Sequence, residues 1–340
     1  IQAELDVPRL VLEAAEKCRD HLSPTPLEYS MYLSRQIDGE VWLKLDSMQR
    51  TSSFKFRGAL NKILSLTEDE LKRGVVTAST GNYALAIAEA TRIRDHKATV
   101  YVAEDLDASR LELLRAHGLD LVIFGEGAWD AEKEARRVAA EQDRVYVSPY
   151  NDPIVVGGQG TCGYEISKQL PDLDAAFFAC GGGGLLAGSA GWLKHHNPDV
   201  SAFGVSPANS PVIHESVRRG KMVEMETFPT LADTCAGGVD LDSITLEPCR
   251  RYAEEILLLS ETEIEASIRL LFEHHRLVVE GSAALAVGGL LKRKDRLEGK
   301  KVVAVICGRN IDLEVFKQNW MCPDWCWKRR RNAATTCRRR

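Results

Sequence analysis

Three short segments of this 340-residue chain could take part in chemistry together. Lys55 lies between Phe54 and Phe56, so its amine has an apolar neighbour on either side. The segment Ser79–Asn82 is a short polar turn, and Gly181–Gly184 is a run of glycines. These segments offer an amine, a polar helix start that can bind an anion, and a loop that can hold a phosphate.

The glycine run stands between two elements that the sequence predicts. Residues 175–179 form an apolar run that predicts a buried strand, and residues 185–194 predict a helix. Glycines at such a junction let backbone N–H groups converge on an anion, and the helix dipole adds positive potential. The junction therefore predicts an anion site.

Other interpretations of this loop remain open. A nucleotide P-loop needs a Gly-Lys-Ser/Thr tripeptide, and none follows here. Gly182, Gly184 and Ala187 fit the permissive dinucleotide pattern, but the next predicted strand ends at Ser206 instead of an acid that could hold a ribose. A plain turn without a ligand is a third possibility, although successive glycines are entropically costly. A single phosphate without a nucleotide fits best.

Lys55 also has two interpretations. A lysine at an arbitrary position is usually a solvated surface residue. Partial burial between two phenylalanines would lower its pKa and free the neutral amine as a nucleophile and base. The position of Lys55 ahead of the two loops favours the reactive amine.

The elements that must position these segments alternate between strand and helix. Such alternation predicts right-handed βαβ units, so the fold class is α/β with mainly parallel sheets and flanking helices. Ligands then lie beyond the carboxyl ends of strands, where Ser79, Gly181 and Cys307 can converge. The predicted strands are residues 74–78, 98–102, 119–123, 144–147, 175–180, 201–205 and 301–306, and the predicted helices include residues 83–94, 108–116, 128–141, 157–168 and 261–275.

Six motifs in a fixed order connect the chain to a known family. With them the chain resembles the fold-type II pyridoxal-phosphate enzymes, and within these the serine/threonine ammonia-lyases (dehydratases) and serine racemases, over roughly residues 22–318. It is also similar to the branch that includes the hydroxyectoine-utilisation dehydratases. The motifs are Thr25–Leu27 (T-P-L), the strand Val41–Asp46, Ser53–Gly58 (S-F-K-x-R-G), Ser79–Asn82 (S-S-G-N), the tetraglycine loop Gly181–Gly184, and Cys307–Asn310 (S-G-G-N).

The resemblance implies a cofactor, pyridoxal 5'-phosphate (PLP), and a role for each motif residue. Lys55 would form a Schiff base with PLP and shuttle the Cα proton, while Phe54 packs against the cofactor ring. Asn82 would bind the phenolic oxygen, and Cys307 would face the pyridine nitrogen. The implied phosphate site is the backbone of Gly181, Gly182, Gly183, Gly184 and Leu185, and the implied site for the substrate carboxylate is Ser79, Thr80, Gly81 and Asn82.

Two of these residues affect the expected reaction. A thiol such as Cys307 cannot hold the pyridine nitrogen protonated as an aspartate would, so the ring is a weaker electron sink and elimination is favoured over transamination. Thr80 replaces a serine that racemases place as a second acid/base, and its stiffer side chain counts against racemisation. Thr80 nevertheless remains a predicted catalytic residue.

The family's cation site is predicted to be absent. Carboxylates of that site would fall near Ser206 and Val212, and neither residue is an acid. We therefore expect no metal.

Composition supports a soluble enzyme. Nine cysteines without a C-x-x-C pair suggest reduced thiols and a cytoplasmic setting, and no apolar run approaches a membrane span. The net charge is −5, but residues 328–340 are strongly basic. We interpret this end as a disordered tail and expect no nucleic-acid or membrane partner.

The predicted organisation has two domains. By resemblance, residues 1–46 and 148–318 form a large PLP-binding domain, residues 47–147 a small mobile domain, and residues 319–340 the tail. The expected assembly is a homodimer, and the expected partner is a small amino-acid substrate.

The predicted reaction is loss of water from a β-hydroxy α-amino acid, which gives a 2-oxo acid and ammonia. A serine or amino-acid racemase and a β-replacement enzyme are alternatives within the fold. An NAD(P) oxidoreductase or a non-catalytic ligand-binding relative are alternatives of another class.

Overall fold

Two sheets organise the computed structural model, which describes residues 5–79, 81–104, 106 and 108–320. One sheet has six strands in the order β1-β2-β10-β7-β8-β9, and the other has four in the order β5-β4-β3-β6. The strands are β1 Leu27–Tyr29, β2 Glu40–Lys44, β3 Val75–Ala78, β4 Ala98–Val102, β5 Asp120–Ile123, β6 Val145–Tyr146, β7 Ala175–Ala179, β8 Ser201–Pro207, β9 Glu255–Leu259 and β10 Lys301–Val305.

All strand pairs of both sheets are parallel except the pair of β1 with β2. In the six-stranded sheet Val303 lies opposite Trp42 on one side and Ala176 on the other. Every residue of β7 and of β3 is buried, as expected for parallel strands covered on both faces. The α/β class with two mainly parallel sheets is therefore confirmed.

Helices flank both sheets. Their bounds are α1 Val7–Cys18, α2 Met31–Ile37, α3 Lys55–Ser65, α4 Glu68–Arg73, α5 Asn82–Ile93, α6 Ala108–Ala116, α7 Ala128–Glu141, α8 Pro153–Gln169, α9 Gly184–His196, α10 Val212–Arg219, α11 Leu246–Tyr252, α12 Glu261–His275, α13 Gly281–Lys292 and α14 Leu313–Trp320. A 3-10 turn, Asp233–Cys235, lies between α10 and α11.

Helix α8 packs against α3, which begins at Lys55, and against α9, which begins at Gly184. Asp152 caps it by accepting hydrogen bonds from the backbone N–H groups of residues 154 and 155, and Pro153 fits its first turn. A Cβ at Gly158 would lie 2.5 Å from the carbonyl oxygen of Arg57 in α3, and a Cβ at Gly188 in α9 would collide with the carbonyl of Val156. Glycines thus allow α3 and α9 to pack directly on α8.

A buried ionic cluster anchors α3 to the six-stranded sheet. Arg57 donates from Nε to Asp46 Oδ2 (2.7 Å) and from Nη1 to Glu165 Oε1 (2.6 Å), and Lys44 Nζ donates to Glu165 Oε2 (2.6 Å). The Arg57 and Lys44 side chains are fully buried. Burial alone would raise the pKa of Asp46, but the Arg57 guanidinium holds it below its usual range.

The strands of the smaller sheet, residues 75–146, all fall inside the predicted small domain. The domain bounds and the mobility of that domain stay predictions. The predicted tail starts within α14, and its remaining residues, 321–340, lie outside the described part. In the part of the chain that the structure describes, no helix is long and apolar enough to cross a membrane.

Candidate active site

Lys55 begins α3 and is held beside the end of β10. Ser53 forms an antiparallel bridge with Gly308, and the Phe54 N–H donates to the carbonyl of Cys307 at 2.9 Å. The Lys55 amine lies 3.3 Å from the carbonyl oxygen of Pro149 and 5.0 Å from the centre of the Phe54 ring. Backbone contacts with the β10 loop thus fix the start of the helix that carries the lysine.

The environment of Lys55 favours its neutral amine. Burial lowers its pKa, and this effect outweighs the opposing influence of Cys235, Cys307 and Glu280. A lysine with a lowered pKa has more free amine at neutral pH, so it can act as a nucleophile and a base. The sequence-based expectation for the Lys55 pKa agrees with this direction.

The glycine run forms a cradle, which we define as Gly181–Gly184, between β7 and α9. Gly183 has a φ of +82°, which glycine adopts without strain. Thr245 donates to the carbonyl of Gly182 at 2.8 Å, and the Cys249 thiol lies 3.5 Å from the carbonyl of Gly183. Because a trans peptide points its C=O and N–H in opposite directions, the next two N–H groups face away from Thr245 and Cys249.

Side chains leave no room for a Cβ in the cradle. A Cβ at Gly182 would lie 2.5 Å from the Tyr150 ring, and one at Gly184 would collide with Oε1 of Gln159. That Gln159 oxygen is buried without a hydrogen-bond partner among the described residues. The glycines are therefore required by packing as well as by the approach of an anion.

The polar turn follows β3, and α5 starts at Asn82. The Ser79 hydroxyl accepts a hydrogen bond from the Gly81 N–H at 3.3 Å. The first N–H groups of a helix lack acceptors within the helix, so this turn can bind a carboxylate. Thr80, a predicted catalytic residue, lies outside the described residues.

A buried carboxyl group that the sequence analysis missed contacts this turn. Glu280 accepts hydrogen bonds from Asn82 Nδ2 (2.8 and 3.0 Å), from the Thr234 hydroxyl (3.1 Å) and from the Asn310 N–H (3.1 Å). Burial raises its pKa to about 7, the nearby charge of Asp233 adds to the rise, and these hydrogen bonds oppose it. Glu280 is therefore a titratable group near neutral pH within one contact of a predicted cofactor ligand.

The signal that could have found Glu280 was present in the sequence. It is an acid between Val279 and Gly281 at the start of an apolar helix, where an uncompensated charge would be costly. Asn310 also donates from Nδ2 to the side-chain oxygen Oδ1 of Asn82 at 2.6 Å, so both ends of the Asn82 side-chain amide are held.

Cys307 follows β10 and is buried. Burial, and then the charge of Glu280, raise the pKa of its thiol well above the usual value. A thiol in this environment stays neutral at physiological pH.

The predicted residues converge on two adjoining cavities. The larger one, which we call the lysine cavity, has a volume of about 450 Å³, and the narrower one opens between Lys55 and the cradle. Lys55, Gly181 and Gly182 line both, with Ser79, Gly81 and Asn82 in the lysine cavity and Phe54, Gly183, Gly184, Leu185 and Cys307 in the narrower one. Thr80 aside, the predicted site residues thus lie together. Their individual roles stay predictions.

Another cavity, of about 850 Å³, lies near α11 and contains none of these residues. Among the residues that the structure describes, no group of three or more His, Cys, Asp or Glu side chains is placed to hold a metal ion.

The residues present fit PLP. The cradle and the start of α9 suit a phosphate, Lys55 offers an amine for the aldehyde, and Phe54 offers an aromatic face. Asn82 and the neutral Cys307 thiol suit the two polar positions of the ring. A fold of parallel strands with a glycine cradle, a buried lysine and a polar turn at the strand ends is typical of enzymes that work through this cofactor.

Comparison with known proteins agrees with this class. The chain belongs to the family of pyridoxal-phosphate dependent enzymes, whose model matches residues 18–308. The L-threonine ammonia-lyase of Thermotoga maritima is 39% identical over 90% of this chain and 76% of its own length. The L-threo-3-hydroxyaspartate ammonia-lyase of Saccharomyces cerevisiae is 33% identical over 90% of this chain and 94% of its own.

A solved structure gives the same result. The processed form of threonine deaminase isoform 2 from Solanum lycopersicum superposes with a TM-score of 0.87 at 29% identity, covering 93% of each chain. The family resemblance and the cofactor inferred from the motifs are confirmed.

Proposed function

We propose that this protein is a PLP-dependent ammonia-lyase that removes water from a β-hydroxy α-amino acid of the threonine and serine type. The products are a 2-oxo acid and ammonia, because the water lost in elimination is regained when the released enamine tautomerises and hydrolyses. The observation that carries the proposal is the position of the Lys55 amine. It lies in one cavity with the polar turn of Ser79 and Gly81, next to the glycine cradle and the Cys307 thiol.

When bound, PLP supplies the electron sink that stabilises negative charge at the substrate Cα. The neutral Lys55 amine, whose pKa is lowered by burial, is the base that can accept the Cα proton. The turn that contains Ser79 and Gly81 orients the substrate through its carboxylate. Both hydrogen-bonding ends of Asn82 are held by Glu280 and Asn310, so this side chain is fixed before a ligand arrives.

Cys307 supports elimination over transamination. Its thiol is neutral and carries no charge that would keep a ring nitrogen protonated. With PLP bound, an unprotonated ring nitrogen would make the ring a weaker electron sink, which favours departure of the β-hydroxyl over transamination. Elimination of water is therefore favoured over transamination, and Thr80 in place of a serine counts against racemisation.

The test is to mix purified, PLP-loaded protein with threonine, serine and 3-hydroxyaspartate and to measure 2-oxo acid and ammonia. We expect equal amounts of both products from at least one substrate. Lys55→Ala should remove the visible absorbance of the lysine-bound cofactor and lower the rate by at least about 100-fold. The matched control is Lys72→Ala, a surface lysine on α4 whose side chain is 69% exposed.

The outcomes separate the alternatives. A change of substrate enantiomer without 2-oxo acid would identify a racemase, and a visible band that persists in Lys55→Ala would overturn the proposal. The homodimer implied by the resemblance stays a prediction, and sedimentation of the purified protein would measure it.

A further inference from the structure

A buried amide faces the glycine cradle with one end unpaired. Gln159 belongs to α8, and its side chain is fully buried between Gly58 of α3 and Gly184 of α9. Its Nε2 donates to the carbonyl oxygen of Pro149 at 2.9 Å. Because a carbonyl can only accept, this contact fixes the orientation of the amide. The other end, Oε1, therefore faces Gly184, where a Cβ would collide with it.

The unpaired oxygen indicates what kind of ligand the cradle holds. Among the described residues, no group donates a hydrogen bond to Gln159 Oε1. A buried acceptor without a donor is costly, so folded proteins pair it with protein, water or a ligand. A fully ionised phosphate offers only acceptors, and this oxygen would repel it. A singly protonated phosphate offers one O–H donor and still has oxygens for the N–H groups of the cradle.

The narrower cavity also favours a ligand with one negative charge over a ligand with two. The titratable side chains among its described lining are Lys55, Tyr150, Cys235 and Cys307. Burial lowers the pKa of Lys55, raises that of Tyr150 and raises that of Cys235 to about 12. The pKa of Cys307 is also raised by burial, so all four groups favour their neutral forms. The dipole of α9 supplies only about half a positive charge at its start.

The helices around Gln159 do not change this balance. The charged side chains of α3 that meet α8 are paired there, Arg57 with Glu165 and Lys62 with Asp152. The first ten residues of α9, 184–193, include no charged side chain. Helix α1 meets this turn of α8 through Leu10 and Val11.

We propose that Gln159 Oε1 accepts a hydrogen bond from an O–H of the bound PLP phosphate, so that the cradle holds this phosphate in its singly protonated form. The inference concerns the cofactor and does not depend on which reaction the protein catalyses. A phosphate ester in water loses its second proton near pH 6. Retention of that proton in the cradle leaves an acid group inside the site at neutral pH.

Gln159 also connects the cradle to the lysine. The Pro149 carbonyl that accepts from Gln159 Nε2 lies 3.3 Å from the Lys55 amine. The two ends of one amide thus contact the phosphate site and the carbonyl beside the lysine. A test must therefore separate the loss of the acceptor from the loss of the Nε2 contact.

Two substitutions make this separation. Gln159→Met removes both hydrogen-bonding ends, whereas Gln159→Glu keeps an acceptor oxygen towards the cradle and replaces the Nε2 donor. The matched control is Gln142→Met, at an exposed glutamine that follows α7.

The first measurement follows the phosphorus NMR signal of bound PLP between about pH 5.5 and 9 in the full-length, PLP-loaded proteins. The chemical shift of a phosphate ester reports its ionisation and requires no turnover. The second measurement titrates cofactor-free protein with inorganic phosphate and with sulfate at neutral pH. Phosphate can carry a proton at this pH and sulfate cannot, so the two probes differ in the donor that Gln159 Oε1 needs.

We expect the phosphate of the wild type to keep its proton to a pH about 1–2 units higher than a free phosphate ester does, as for a hydrogen bond to a charged group. Gln159→Met should lower the midpoint by about the same amount, and Gln159→Glu should leave it at or above the wild-type value. The wild type should bind phosphate at least about tenfold more tightly than sulfate, and Gln159→Met should reduce this preference to less than about threefold. Gln142→Met should behave as the wild type.

Other patterns would overturn the inference. One is a wild-type signal that stays at the position of the fully ionised phosphate throughout. Another is a Gln159→Met titration that coincides with the wild type, because Oε1 is then paired with a buried water. If both substitutions lower the midpoint equally, the Nε2 contact governs the phosphate and the acceptor does not.

The inference can be decided separately from the proposed function. Neither measurement needs a 2-oxo acid to form, so failure of the lyase assay would refute the reaction and leave the role of Gln159 to the phosphate signal. If neither variant folds, the wild-type signal and its preference between phosphate and sulfate still decide.

Discussion

Glu280 offers a quantitative test of the buried network, through the replacement Glu280→Gln. Its pKa is raised from 4.5 to about 7, mainly by burial. Because the folded pKa lies above the unfolded one, the folded state binds the extra proton, and the resulting stability is full below pH 4.5. It is lost as the pH rises through 7. A pKa shift of this size adds about 3 kcal/mol to the free energy of unfolding at low pH, and about 2 kcal/mol of this contribution is lost between pH 5.5 and 8.

Glutamine keeps the shape of the side chain and removes the titration. The free energy of unfolding of Glu280→Gln should therefore fall less than that of the wild type over this range, by about 2 kcal/mol. Urea unfolding at several pH values, on cofactor-free protein, measures the difference while the groups common to both proteins cancel. Glu298→Gln, at an exposed glutamate, is the control. If the free energy of unfolding changes with pH in the same way for the wild type and for Glu280→Gln, Glu280 does not bind a proton near neutral pH.

Other substitutions test the parts around this network. Gly184→Ala places a Cβ against Gln159 and should weaken PLP binding by at least about tenfold, as measured by spectral titration, and the overpacking should also lower the free energy of unfolding of cofactor-free protein by about 1–3 kcal/mol. Arg57→Leu leaves the carboxylate of Asp46 buried without its main partner and should cost about 3–5 kcal/mol in urea unfolding. Cys307→Asp places a carboxylate where the ring nitrogen is expected and should lower the ratio of elimination to transamination, measured as 2-oxo acid released against conversion of the cofactor to its amine form in the absorbance spectrum.

Most of the fold followed from patterns that strands and helices impose on sequence. The buried strands β3, β7 and β10 are mainly apolar, and the loops that follow them carry the motifs, so the convergence of the loops was predictable from parallel-sheet geometry. The short strand β9 was missed because Glu255 precedes a brief run of leucines that suits a helix equally well. Tertiary pairing with β8 decided its conformation.

The buried charges could not be predicted in the same way. Glu280 and Asn82 are 198 residues apart, and Arg57 and Glu165 are 108 apart. A carboxylate that becomes buried through such distant pairing has no periodic signature of its own.

The ionic cluster of Lys44, Asp46, Arg57 and Glu165 also constrains how this enzyme can evolve. Two cations and two carboxylates balance one another inside the protein. One of the cations, Arg57, lies two residues after Lys55 on α3. Replacing any one of these four residues leaves a buried charge without its partner and destabilises the protein. The four residues therefore cannot change one at a time without a loss of stability. We expect changes at these positions to survive only as matched pairs or with prior stabilisation elsewhere. The start of α3, and with it the position of Lys55, is therefore tied to a cluster that resists stepwise change.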